Sequence, residues 1–245
     1  MSSDTAPINL THHFLIAMPG LNDELFGKSV VYLCEHSARG ALGLIINKPS
    51  DNGLGELFER LDLPLRREDL RHAPLLRGGP IQTERGFVLH EAMGEAQAVG
   101  SDETPPAIRE AIREALASLE RAASPSPSAE PATDEADTEA PDDEPVVHSA
   151  YASSLRIEGG LEMTTSRDVL EALSSGAGPR KVMVALGYSS WGEGQLESEL
   201  AENSWLTVAA DPAVIFDTPV EQRYEKAMAL LGLEPWMLAP GSGRA

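Results

Sequence analysis

The chain has 245 residues, 42% of them hydrophobic, enough to bury the core of one large domain or two small ones. Its 39 acidic residues against 19 basic ones give a formal net charge of −20, which repels nucleic-acid phosphates and anionic membranes and so disfavours direct DNA binding. Cys34 is the single cysteine, so no intrachain disulfide can form. No stretch reaches the roughly 20 apolar residues needed to cross a bilayer, and the expectation is a cytoplasmic protein that does not enter membranes.

The first third reads as short strands rich in β-branched residues: His13 to Met18, Ser29 to His36 and Gly43 to Lys48. Gly40, in the SARGA link, is free to take the positive φ that a hairpin needs. A short helix is expected from Leu54 to Leu61, ended by Pro64. Further strands are expected at Ala73 to Leu76 and Gly86 to Glu91, with Arg77-Gly78-Gly79-Pro80 between them.

After Gly100 the composition changes to Ala, Ser, Pro, Asp and Glu. From Asp102 to Glu144 there are 13 acidic and 3 basic residues, a net of −10, half of the charge of the whole chain. Ile108, Ile112, Leu116 and Leu119 recur at helical spacing behind Thr104-Pro105-Pro106, but the remainder reads as a solvated, largely disordered insertion over 101–145.

Past the insertion, Thr165 or Ser166 is placed to cap a helix through SRDVLEAL that Gly176 ends. KVMVALG is too continuously apolar to have one face in water and should lie centrally in a sheet. A helix is expected from Gln195 to Glu202, then a strand from Trp205 to Ala209. In the last helix, Thr218 is expected as the N-cap, Pro219 as the first residue, Glu221 as the capping-box partner and Gly232 as the stop.

Four segments carry a family pattern in order: HHFLIAMPGLNDELFGKSVVYLCEHSARGALGLIINKP, RGGPIQTERGFVLH, LEMTTSRDVLEAL, and VALGYSSWGEGQLESELAENSWLTV followed by FDTP. Together they resemble the bacterial YqgE/AlgH family. The resemblance implies an α+β fold, a bent mixed β-sheet curling toward a partial barrel with helices packed outside, formed by one domain from residues 1–100 and 146–245. It implies little chemistry. Some similar proteins carry the label of transcriptional regulator through a genetic association with exopolysaccharide control.

Three segments stand out as a ligand-binding candidate. Asn47-Lys48-Pro49 and Arg77-Gly78-Gly79-Pro80 each set a cation beside a sharp turn, a combination suited to an anionic ligand and equally explained by turn formation alone. The third, Gly187 to Gln195, places Tyr188 and Trp191 between glycines at a strand-to-helix junction, with Gln195 and Glu199 as polar contacts. Anchoring of the following helix by its aromatics is the plainer reading. Residues 187–191 read GYSSW, so the Gly-x-Ser-x-Gly nucleophile pattern is absent.

Cys34, His36 and His90 are weak metal or nucleophile candidates. Strand alternation sends Cys34 and His36 to one face and Glu35 to the other, which leaves a metal site short of ligands. No cofactor fingerprint is present. The expectation is a regulatory protein, not an enzyme, acting through an unknown protein partner or a small ligand, with an enzyme or sensor built on the three segments as the alternative.

Overall fold

A computed structural model of the chain describes residues 9–21, 23–93, 150–151 and 153–233. The β-branched runs form β1 (His13–Ala17), β2 (Val30–Ser37) and β3 (Gly40–Ile45), with β2 and β3 joined by a two-residue turn. Gly40 takes φ 128°, and a Cβ there would sit 2.2 Å from the Trp191 carbonyl oxygen, so this hairpin end accepts only glycine without moving backbone. Next come β4 (Pro49–Gly53), α1 (Leu54–Arg60), α2 (Glu68–Arg71), β5 (Pro74–Arg77) and β6 (Ile81–Glu91). After the insertion come β7 (Ser154–Ile157), β8 (Leu161–Thr164), α3 (Arg167–Ser175), β9 (Val182–Trp191) and α4 (Gln195–Ala201). The chain continues through β10 (Trp205–Ala209), α5 (Pro212–Phe216), a 3-10 turn (Val220–Gln222) and α6 (Arg223–Leu230).

The main sheet runs β10-β1-β2-β3-β9-β6-β8-β7 with antiparallel neighbours; β5 adds to β9 in parallel and carries β4. The apolar strand expected to be central is β9, which pairs with β3, β5 and β6. Strands on both sides of 101–145 interleave, since β6 lies between β9 and β8.

One apolar cluster joins Phe14 and Tyr32 near one end of the strand path to Ile157, Leu161 and Met163 at the other. The sheet therefore curls around a shared interior. A Cβ on Gly159, in the β7–β8 turn, would lie 2.4 Å from the His12 ring, so the two ends also touch there. Val214, Ile215, Tyr224 and Met228 bring the last two helices onto the same interior. On the outer surface α4 covers β1 and β2 through Leu196, with Trp191 and Trp205, while α1 and α3 set Phe58, Val169 and Leu173 against Val88 and Val184. Full burial of each such side chain stabilises by roughly 1.5–3 kcal/mol.

Two irregularities reset which face the strands present. The β2–β3 register shifts between Leu33 and Glu35, so two residues of β2 oppose one of β3. As a result Cys34 lies in the interior cluster, whereas His36 pairs with Ala41 of the outer cluster. The expectation that Cys34 and His36 share a face is thus overturned, because the extra residue breaks the period of two. At Gly187 (φ 71°) β9 does the same: Ala185 and Tyr188 both face the interior although they are three positions apart, an odd step.

Other differences are local. Gly176 takes φ 85° and ends α3 as expected. Thr218 does not cap the last helix: its hydroxyl donates to the Ala213 carbonyl oxygen at 3.0 Å and closes α5, and a 3-10 turn precedes α6. Helix α5 was not anticipated, although Asp211 caps it by accepting from the Ala213 N–H at 2.9 Å and Pro212 opens it. The expected helix through Ile108 to Leu119 and the insertion lie outside the described residues.

Candidate functional site

The three segments singled out in the sequence meet through their main chains. Arg77 N–H donates to the Lys48 carbonyl oxygen, Gly78 N–H to that of Leu186, and Ile45 N–H to that of Gly78, each at 2.8 Å. A Cβ on Gly78 would lie 2.3 Å from the Gly187 oxygen, and one on Gly79 would lie 2.1 Å from the Tyr188 carbonyl carbon. Two glycines on one strand end and one on β9 therefore allow backbones to cross at a distance side chains forbid. Tyr188 points inward, fully buried against Phe87 with ring centroids 5.2 Å apart. Pro49 and Pro80 are exposed beside this crossing.

Cations gather at its rim. Lys48 is half-buried, and its ammonium donates to the Gly27 carbonyl oxygen at 2.6 Å. Burial, then the positive charges of Arg77 and Lys28, depress the Lys48 pKa, while Asp23 opposes them. The Asn47 side chain braces this arrangement: its oxygen accepts from Val30 N–H at 2.8 Å and its nitrogen donates to the Lys28 carbonyl oxygen at 2.8 Å. Arg67, Arg71, Arg156, Arg167 and Lys181 are each ion-paired with a carboxylate, whereas no ion pair among the described residues engages Lys28, Lys48 or Arg77. Lys28 escaped sequence reasoning, because no spacing rule links it to Lys48; the Asn47 side chain makes that link in space.

Trp191, Gln195 and Glu199 form a separate knot. Both indoles donate to Glu199 Oε2, Trp191 at 2.9 Å and Trp205 at 2.7 Å, and Gln195 Nε2 donates to Oε1 at 3.0 Å. Gln195 Oε1 in turn accepts from Gly192 N–H at 3.0 Å. The carboxylate thereby pins α4 to β9 and β10.

The remaining candidates are engaged one by one. Cys34 is buried, its thiol directed at the Tyr32 carbonyl oxygen at 3.8 Å, and burial pushes its pKa up, away from a reactive thiolate. His36 Nδ1 accepts from Leu10 N–H at 3.1 Å, which leaves the proton on Nε2, 3.1 Å from Glu197 Oε1. His90 is fully buried. Its Nδ1–H donates to the Glu91 carbonyl oxygen at 2.8 Å, so Nε2 accepts from the Thr164 hydroxyl at 2.8 Å, and burial lowers its pKa. Among the described residues no three His, Cys, Asp or Glu are grouped to hold a metal ion.

The architecture defines an α+β class with a strongly curled mixed sheet closed by C-terminal helices. The sequence pattern described as AlgH-like matches residues 14–126 and 140–236. The chain belongs to the AlgH-like family. It is 62% identical to a UPF0301 protein of Paracidovorax citrulli and 58% identical to one of Polaromonas sp., each over the full length of both chains. The solution structure of the AlgH protein from Pseudomonas aeruginosa is similar with a TM-score of 0.61 at 37% identity, covering 98% of both chains. A crystal structure from Corynebacterium diphtheriae shares the fold at 15% identity, with a TM-score of 0.58 over 94% of this chain and 92% of that one. Among the described residues no helix is long and apolar enough to cross a membrane.

Proposed function

We propose that this protein is a cytoplasmic regulatory module, acting through protein contacts or a small ligand and not by turning over a substrate. The observation that carries this reading is the occupation of the reactive side chains. Cys34 is buried as a thiol, His36 and His90 each have both ring nitrogens engaged, and Glu199 is held by two indoles. A general base or nucleophile must be able to reach a substrate proton or carbonyl, and these groups reach only their own fold. The single buried cysteine suits a reducing compartment. A role in transcription would run through a partner, because α4, a candidate reading helix, carries glutamates and no basic residue.

The small-ligand arm draws support from the meeting of Asn47-Lys48-Pro49, Gly78-Gly79-Pro80 and Gly187 at one cationic corner. To test the regulatory reading, the purified full chain would be incubated with pooled phosphorylated, acylated and amide metabolites and followed by mass spectrometry. No turnover is expected; steady turnover that disappears in Lys48→Ala or Trp191→Ala would overturn the reading.

Residues 1–100 and 146–245 form, in the same proposal, one domain interrupted by 101–145, supported by the pairing of β6 with β8 and β9 across that segment. Joining Gly100 to Val146 should leave a single cooperative unfolding transition, since loop-closure entropy changes only slowly with length. Two separate transitions would rule it out.

A further inference from the structure

The geometry points to the corner formed by Lys28, Lys48 and Arg77 as a binding site for a small phosphate-bearing ligand, an inference that rests on the small-ligand arm of the proposed function. Three segments distant in sequence deliver these cations: the turn before β2, the β3–β4 corner and the end of β5. Their backbones are fixed to one another by the Asn47 side chain, by the Arg77 N–H bond to Lys48 and by the glycine crossing behind them. The main-chain bonds fix where the three side chains start, and the Lys48 ammonium is further anchored on the Gly27 carbonyl oxygen.

The Lys48 ammonium has three N–H donors, and the Gly27 carbonyl takes one. Arg77 is exposed and offers the planar fork that matches two phosphate oxygens. Lys28, also exposed, adds a point charge. A dianion relieves the mutual repulsion of three cations better than a monocarboxylate does. The chain's net charge of −20 selects against a long polyanion, whereas a small ligand feels only the charges within about one Debye length, roughly 10 Å.

The test is calorimetric titration of the full chain with pyrophosphate, without divalent metal, beside parallel titrations with inorganic phosphate and a nucleoside diphosphate to distinguish free from nucleotide-borne phosphate. Saturable binding is expected, weakened about tenfold or more by Lys48→Met and by Arg77→Gln. Arg167→Gln, the same charge change at a paired surface site, should leave it unchanged, which separates the corner from the overall charge. Binding should also weaken as pH rises toward the ordinary lysine range, because the depressed Lys48 ammonium loses its proton ahead of an ordinary lysine. Absence of saturable binding, or equal loss in all three variants, overturns the site while leaving regulation through protein contacts standing. Binding of duplex DNA in place of pyrophosphate, lost in the same variants, overturns it in favour of a nucleic-acid surface. Release of orthophosphate with binding intact keeps the site and removes the regulatory reading instead.

Discussion

The glycine crossing and the indole–carboxylate knot both draw on one stretch of sequence, Gly187 to Glu199, yet they are stabilised in opposite ways. At the crossing the side chains are missing: Gly78, Gly79 and Gly187 let main chains approach within distances that a methyl group would fill. At the knot the side chains are everything, since Trp191, Trp205 and Gln195 converge on one carboxylate. The first region has no room for an added atom, while the second depends on a shared acceptor. The crossing sets cations at its rim, whereas the knot fastens an acidic helix to the outer surface, so one strand-to-helix passage serves two unlike surfaces.

The largest expected effect tests the crossing. Gly79→Ala places a Cβ 2.1 Å from a backbone carbon that cannot yield without moving β9. Chemical denaturation should show a loss of about 3 kcal/mol or more, and a loss under about 1 kcal/mol would mean the crossing is looser than described. At the knot, Glu199→Ala should cost about 1–2 kcal/mol, less than the crossing because Glu199 is only half-buried and water can replace it. Tryptophan emission should shift in the same variant, and unchanged emission would separate the indoles from the carboxylate.

The smallest effect belongs to neither region and shows that they do not account for all polar stabilisation. His90 is buried neutral, so its folded pKa lies below the unfolded value of 6.5. The unfolded chain therefore binds a proton that the fold refuses, and stability present above about pH 6.5 declines as pH falls below it. In His90→Asn, which keeps a donor toward the Glu91 carbonyl, the acid-side slope of stability against pH should flatten. An unchanged slope would remove His90 as its source.

Much of the fold was legible because local chemistry and global structure agree. The KVMVALG run is the core of β9, Trp205–Ala209 is a strand with the expected bounds, and Gly176 stops α3 in the left-handed region. Strands β4, β7 and β8 and the short α2 were missed, because four or five residues without a run of β-branched side chains leave too little period to read. Thr218-Pro219 carried a helix-start pattern, but the Ala213 carbonyl took the Thr218 hydroxyl first.

The candidate site was legible as segments and not as a surface. Asn47-Lys48-Pro49 and Arg77 to Pro80 announce themselves by turn-forming residues beside a cation, Gly187 by the glycines and aromatics around it, and these proved to be neighbours. Lys28 could not be joined to them from sequence, nor could Trp191 and Glu199 be separated from them.

The sequence by itself determined the longer strands and helices, the acidic charge, the family and the glycine turns, which are written in composition and in residues close along the chain. Only the tertiary structure decided which faces those residues present. A one-residue bulge beside Cys34 and a left-handed glycine at 187 each reverse the strand alternation, and whether a chain bulges depends on what packs across the sheet.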